Sequence, residues 1–224
     1  ERKTIYTFQS ALATSWKKGR IFLAGDAAHL MPPFMGQGMC AGIRDVSNLA
    51  WKISLCLKNK HDDKLLNTYQ SERSSNVKEY IETTMRMGEF VNAVGKSPIT
   101  NNISADSKGR KSMKSIKPRL GRGLGDLKDK FRGKIFPQYI IKNNKKLDEK
   151  FSLKPALVIS DEIKKNISSK IKLIRSKNIK NLELFFKEHN CKAVIVRPDR
   201  FILSSCKSVK DFNSYLSKNL SYLV

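Results

Sequence analysis

The sequence predicts an α/β chain, and three patterns carry that reading. Arg20-Ile21-Phe22-Leu23-Ala24 is a short apolar run stopped by Gly25-Asp26, the length and abrupt ending of a buried strand. Met39, Ile43, Val46, Ala50, Ile53 and Leu57 recur at alternating steps of four and three, which is one apolar face of a helix. Ala193-Val194-Ile195-Val196 and Phe201-Ile202-Leu203 flank the turn Pro198-Asp199-Arg200, as the two arms of a hairpin.

Between the first strand and the helix lies a loop from Ala27 to Gly38, stiffened by Pro32-Pro33 and loosened by Gly36 and Gly38. Leu49 and Trp51 widen the expected buried side of the helix. A second helix is expected from Asp63 to about Val94, with Leu66, Tyr69, Val77, Ile81 and Met85 inward. Residues 96–134, rich in Ser, Gly, Lys and Asn, read as an exposed connection or a loosely packed extension. Residues 135–224 return to short apolar runs: a strand at Pro155–Ile159, a helix around Leu182–Phe186, the hairpin, and a closing helix from Val209 to Leu220. The expected division is therefore 1–95, 96–134 and 135–224, the last a small α/β domain.

Composition narrows the classes. Apolar residues make up 40% of the 224, enough for a core, and no run of about 18 apolar residues marks a transmembrane helix. The chain opens on Glu1-Arg2-Lys3-Thr4, with neither a signal peptide nor an initiator Met, and reads as entered in mid-domain. Cys40, Cys56, Cys191 and Cys206 form no C-x-x-C pair and no zinc spacing, so reduced thiols, a cytoplasmic location and no metal site are expected. The net charge of +24 is uneven: residues 1–95 hold 13 Lys+Arg against 9 Asp+Glu, residues 96–224 hold 31 against 11. The cations are scattered singly and in pairs without a recognition motif, so specific nucleic-acid binding is not expected.

The chemistry sits in Gly25-Asp26-Ala27-Ala28-His29-Leu30-Met31-Pro32-Pro33-Phe34-Met35-Gly36-Gln37-Gly38-Met39. An Asp just beyond a strand end can accept hydrogen bonds from a sugar-like polyol. Glycines let backbone approach a flat ligand, and a helix starting near Gly38 offers free N–H groups and the positive end of its dipole. The same residues also fit a plain capped loop, with Asp26 as a turn cap and the glycines as turn residues. Nearby, His29 reads either as a polar group ordering a cofactor loop or as a buried His bonded to backbone. Arg44 and Asp45 read as local surface ion pairs.

Residues 19–57, from Gly19-Arg20-Ile21-Phe22-Leu23-Ala24-Gly25-Asp26 through Asn48-Leu49-Ala50-Trp51-Lys52-Ile53, resemble the second FAD motif of single-component flavoprotein aromatic hydroxylases, closest to the phenol and hydroxyphenylpropionate branch. Leu65, Tyr69, Glu72 and Arg73 resemble the family's next helix, which usually continues with Arg-Pro where this chain has Ser74-Ser75. The resemblance implies that Asp26, beside Gly25, binds the ribityl chain of FAD. It places Pro32 and Pro33 over the reactive C4a edge of the flavin. Gly36, Gln37, Gly38 and Met39 would bring backbone N–H groups to the flavin N1 and C2 carbonyl, where fixed dipoles stabilise the reduced anion. Position 40, often Asn in the wider family, is Cys40 here, so the resemblance does not imply the amide hydrogen bond to the ring from this position.

Gly133-Lys134-Ile135-Phe136-Pro137-Gln138, Leu147-Asp148 and Val196-Arg197-Pro198-Asp199-Arg200 resemble the thioredoxin-like C-terminal domain of phenol-hydroxylase relatives. Without C-x-x-C, a structural or homodimer-contact role is implied rather than thiol chemistry. The family's first FAD motif, G-x-G-x-x-G after a strand, is missing. Gly121, Gly123 and Gly125 follow a Lys-rich stretch and do not qualify, so the natural protein is expected to extend before Glu1. The implied function of the whole is an FAD-dependent monooxygenase. It would take a hydride from NADH or NADPH, activate oxygen as a flavin C4a-hydroperoxide and hydroxylate a phenolic substrate. Two alternatives stand beside it: a flavin-dependent epoxidase, reductase or quinone hydroxylase, and a non-catalytic basic binding remnant.

Overall fold

In the computed structural model, residues 3–59, 63–93, 103–105, 111–113, 116–151, 153–164, 171–177, 179 and 181–220 are described. The N-terminal part opens with two small antiparallel ribbons. β1 (Ala11–Leu12) pairs with β4 (His29–Leu30), and β2 (Lys17–Lys18) with β3 (Ile21–Phe22). The expected strand at 20–24 is thus two residues long and not buried. Ile21 is exposed, because its only ladder partner among the described residues is the two-residue β2.

The proline loop folds into a tight helical turn at Pro33–Met35, ended by Gly36 at φ +60°, and α1 then runs Gly38–Asn59. α2 follows over Lys64–Ala93 and packs against it. Gly88 of α2 is where the Phe34 ring lies on the helix: a Cβ there would stand 2.6 Å from Phe34 Cε2.

The helix boundaries agree with expectation, but the apolar face of α1 does not point inward. Met39 is 76% exposed, Ile43 58%, Val46 55% and Leu57 71%, and Ala50 is exposed too. The buried stripe is Ala41, Asp45, Asn48, Trp51 and Lys52. Burial is therefore directed by charge pairing rather than by the hydrophobic stripe. On α2, Tyr69, Val77 and Ile81 are buried as expected, while Met85 is exposed.

A ribbon of β5 (Ile103–Ala105) and β6 (Lys111–Met113) intervenes. Residues 94–102, 106–110 and 114–115 of the expected connection lie outside the described residues. From 116 on, the stretch is not loose. Leu120, Phe131 and Arg132 are buried, Gly121 N–H donates to Glu72 O at 2.9 Å, and Leu124 N–H donates to Glu72 Oε1 at 2.9 Å. Gly121 and Gly123 serve close packing here, since a Cβ on Gly123 would sit 2.3 Å from Glu72 Oε1.

After the single-turn α3 (Asp148–Phe151) comes a four-stranded sheet: β7 (Ala156–Ile159), β8 (Lys172–Arg175), β9 (Ala193–Val196) and β10 (Ile202–Cys206). The spatial order is β10-β9-β7-β8, with β7 and β8 parallel and the other pairs antiparallel. With α4 (Leu182–Glu188) before β9 and α5 (Phe212–Leu220) after β10, this is the strand order of a thioredoxin-like unit. Alternate residues of each strand face opposite sides. Ala156, Val158, Val194 and Val196 meet Phe131, Phe151, Phe185 and Phe186 on one face. Leu157, Ile159 and Ile195 meet Phe212, Tyr215 and, from α1, Trp51 on the other.

Candidate flavin-facing site

Three elements meet at Asp45. Its carboxylate is fully buried in α1 and accepts from three directions. Gly25 N–H reaches Oδ2 at 3.1 Å, His29 Nε2 lies 2.6 Å from Oδ2, and Arg73 Nε donates to Oδ1 at 2.7 Å from α2. Arg73 is held in turn by Asn76 Oδ1 at 2.6 Å and by Ala41 O at 3.4 Å. Burial alone would raise the Asp45 pKa. The His29 hydrogen bond and the Arg73 guanidinium outweigh it and hold Asp45 below the usual carboxylate range. Asp45 is therefore an anion, and His29 Nε2 must donate to it. His29 Nδ1 is left without a partner among the described residues.

This corrects two expectations. Asp45 and Arg44 are not surface ion pairs: Asp45 is buried with Arg73, and the Arg44 guanidinium lies 5.4 Å from the Tyr80 ring centroid with NH1 3.3 Å from Gln37 Oε1. His29 is buried, but its bond goes to a carboxylate rather than to backbone. Hydrophobic periodicity could not reveal Asp45, because it shares its stripe with Asn48 and Lys52. The signal within reach was Arg73 among the residues resembling the family's next helix.

The grip on Gly25 has a steric counterpart. Gly25 (φ +57°) and Gly42 of α1 face each other so closely that a Cβ on Gly42 would stand 3.2 Å from Gly25 Cα. The turn Gly25–Ala27 is therefore seated on the first turns of α1. Asp26 projects from that turn into solvent, with no hydrogen-bond partner among the described residues, and it caps no helix. The plain-cap reading of Asp26 is thereby removed. Tyr69 OH donates to Leu23 O at 2.9 Å and steadies the strand leading in, its own ionisation pushed up by burial.

The start of α1 is open. Ala41 N–H makes the first ladder bond, to Gln37 O at 2.8 Å, so the amides of Gly38, Met39 and Cys40 precede the ladder. Pro32 is buried, Pro33, Gly36 and Met39 are exposed, and Gln37, Gly38 and Cys40 are half-buried. The structure thus brings Gly25, Asp26, Gly36, Gln37, Gly38, Met39 and Cys40 to the N-terminal end of one helix, with Pro32 and Pro33 on the loop entering it. An exposed, unpaired carboxylate beside open helix amides and a glycine-to-glycine contact fits a ligand with a polyol arm and an electron-rich ring edge. FAD is such a ligand. Among the described residues no cluster could hold a metal ion, and no helix is long and apolar enough to cross a membrane.

Comparison with known proteins places the sequence and the fold beside flavoprotein hydroxylases. Residues 1–84 match the family model described as an FAD binding domain. The chain is 41% identical over 140 residues to a probable NADH-specific resorcinol 4-hydroxylase of Rhodococcus jostii, covering 61% of this chain and 26% of that protein. It is 37% identical over 138 residues to a 3-(3-hydroxy-phenyl)propionate/3-hydroxycinnamic acid hydroxylase of Mycolicibacterium vanbaalenii, covering 62% and 23%. The chain thus spans about a quarter of the length of these curated relatives. Among solved structures it resembles the anhydrotetracycline hydroxylase OxyS of Streptomyces rimosus, with TM-score 0.67, 16% identity and coverage of 96% of this chain and 46% of that one. It also resembles aklavinone-11 hydroxylase, solved with FAD and aklavinone, with TM-score 0.60, 20% identity and coverage of 95% and 45%. The fold is that of the FAD-dependent hydroxylases.

Proposed function

We propose that this chain, whose first 84 residues match the model of an FAD binding domain, supplies the flavin-facing turn of an FAD- and NAD(P)H-dependent monooxygenase that hydroxylates a phenolic ring with oxygen. The observation that carries the reading is the seat of Asp26. Its carboxylate is exposed and, among the described residues, unpaired next to Gly25, while Asp45 clamps the Gly25 amide to the helix whose open end begins at Gly38. The names of the relatives add the phenolic substrate class and the nicotinamide donor.

On this reading each residue has a physical task. Asp26 accepts hydrogen bonds from the ribityl hydroxyls. The Gly38, Met39 and Cys40 amides, with the helix dipole behind them, favour negative charge at the N1–C2 edge of the ring. Pro32 and Pro33 form a rigid wall that keeps water from the reacting edge. When bound, FAD supplies the hydride-accepting and oxygen-activating chemistry. The division into 1–95, 96–134 and 135–224, and a homodimer contact through the C-terminal unit, belong to the same reading. So does the exposed stripe Met39, Ile43, Val46 and Leu57, which fits a helix that packs on further protein in the working enzyme.

The test is a titration of the 224-residue chain with FAD, read by flavin fluorescence and absorbance, beside NADH and NADPH oxidation assays with resorcinol and hydroxyphenylpropionate. The expected result is weak FAD binding that Asp26→Ala removes, with no turnover. A chain that leaves the flavin spectrum unchanged at millimolar protein, or whose binding ignores Asp26→Ala, sinks the proposal.

A further inference from the structure

A cavity of about 220 Å³ opens where α1, α2, the 116–118 crossing and the C-terminal unit meet. Its floor is apolar and aromatic: the rings of Tyr80 and Phe201 are buried there, with Ile135 at the rim. Its polar side chains are Arg44, Lys117, Gln37, Asn76 and the hydroxyl of Tyr80, and no carboxylate lines it. Sites for larger ligands span roughly 300–1,000 Å³, so this one has room for a single ring with a short arm.

The charges in it are not spent. Arg44 lies over Tyr80, 5.4 Å from the ring centroid, and donates one long bond of 3.3 Å to Gln37. A guanidinium has five N–H donors in a fixed fork. The rest of the Arg44 fork, the Lys117 ammonium and the Tyr80 hydroxyl have no partner among the described residues. Asn76 offers nothing, since its amide is bound to Arg73 and to Pro118 O. Asp45, next in sequence to Arg44, faces away into the Arg73 and His29 pairs. An arginine with nothing to neutralise ordinarily extends into water, keeping only its stem on the protein. Arg44 instead lies across an aromatic floor, with fork donors uncommitted.

We propose that this cavity is a binding site for a one-ring aromatic carboxylate, its ring on Tyr80 and Phe201 and its carboxylate on the Arg44 fork, with Lys117 adding charge at the mouth. A carboxylate matches a planar fork with two parallel hydrogen bonds, which a neutral amide cannot do. The Gln37 side chain is shared with the turn at the start of α1, so an anion drawing Arg44 away from Gln37 acts on that turn. The site itself does not depend on a bound flavin, and its test needs none.

The experiment is a ¹H–¹⁵N NMR titration of the 224-residue chain, without FAD, using phenylacetate and its neutral isostere phenylacetamide. Saturable shifts at Gln37, Arg44, Tyr80 and Lys117 are expected with phenylacetate, and affinity about tenfold or more weaker for the amide. Arg44→Gln is expected to weaken phenylacetate to the level of the amide. If that variant loses its dispersed spectrum, Lys117→Gln, at an exposed position, serves in its place with a smaller loss. Equal affinity for acid and amide, indifference to both substitutions, or shifts scattered over the basic surface overturns the proposal.

Discussion

Arg197 and Glu72 lie 125 residues apart in sequence and meet as a two-pronged buried pair, NH1 to Oε1 at 2.9 Å and NH2 to Oε2 at 2.8 Å. The same carboxylate accepts from Lys52 Nζ at 2.8 Å, Asn48 Nδ2 at 3.0 Å and Leu124 N–H at 2.9 Å. Asp199 closes the group on Arg197 at 2.7 Å and on Asn48 at 2.9 Å. One glutamate thus ties α1, α2, the 121–124 crossing and the hairpin of the C-terminal sheet together.

The members of this group are not equivalent. Removing one partner of a buried pair strands the other charge and costs roughly 3–5 kcal/mol. Arg197→Met is expected to lose about that much, because it leaves both Glu72 and Asp199 short of their main cation. Burial, only partly offset by Glu72, brings Lys52 down to about 8, so the fold already holds that ammonium at a cost. Lys52→Met keeps the stem and leaves Glu72 with Arg197, and is expected to cost under about 1 kcal/mol. Urea unfolding of both variants decides. Equal losses show that the two cations carry the carboxylate equally.

The acid limb of stability follows from two carboxylates. Burial opposes ionisation of Glu72, but Arg197 and then Lys52 pull its pKa far below the ordinary 4.5, and Asp45 is lowered from 3.8. A carboxyl with a depressed folded pKa contributes stability that is complete above its unfolded value and drains away as pH falls toward the folded one. Stability is therefore expected to be flat with respect to these groups above about pH 5 and to fall steeply below about pH 4.5. Glu72→Gln, less stable at pH 7, is expected to show a shallower fall between pH 4.5 and pH 3. Parallel curves for the two proteins, by circular dichroism at stepped pH, contradict this assignment.

Much of the fold was legible because periodicity reports local structure. α1, α2, the β9–β10 hairpin and the closing helix all follow from spacing and turn residues. The direction of α1 was not legible. Its most regular apolar stripe, Met39 through Leu57, faces out, while Asp45, Asn48 and Lys52 face in. A pattern rule assigns the inside to hydrophobic residues, whereas here Arg73, Glu72 and Asp199, distant in sequence, decide it. The same blindness hid the packing of Gly121 and Gly123. Their spacing after a Lys-rich stretch lacks the strand of a phosphate loop, and nothing local shows a glutamate passing beneath. At the proposed flavin-facing site, the Gly25–Met39 segment is legible as a loop entering a helix, and the Asp45 clamp that holds it is not.

Gly123 and Gly36 separate packing from backbone freedom. A Cβ on Gly123 meets Glu72 Cγ and Oε1 at 2.3 Å, and that side chain is fixed by five donors and has no room to swing. Gly123→Ala is expected to destabilise by about 3 kcal/mol or more through breaking those bonds. Gly36 has φ +60° with open space where its Cβ would be, so Gly36→Ala is expected to cost only the left-handed strain, about 1–2 kcal/mol. Thermal melts rank the two. A Gly36→Ala variant as damaged as Gly123→Ala would falsify the division.

Asp45 and Asp26 are expected to fail in opposite ways. Asp26 is exposed and bonds to no described residue, so Asp26→Ala should leave the melting temperature within a degree or two while removing FAD binding. Asp45→Asn keeps a side chain of the same shape but discharges the acceptor of Gly25, His29 and Arg73 and leaves the guanidinium buried without its counter-ion. It should lower stability by roughly 3 kcal/mol. Flavin affinity should fall by about tenfold even where the protein is still folded, because the Gly25–Ala27 turn is no longer held against Gly42. Melting curves and FAD titrations at a temperature where both variants are folded distinguish the two roles. An Asp45→Asn protein that loses stability yet binds FAD as tightly as the parent would leave Asp45 a structural group alone, with the seat of Asp26 fixed by the glycine contact instead.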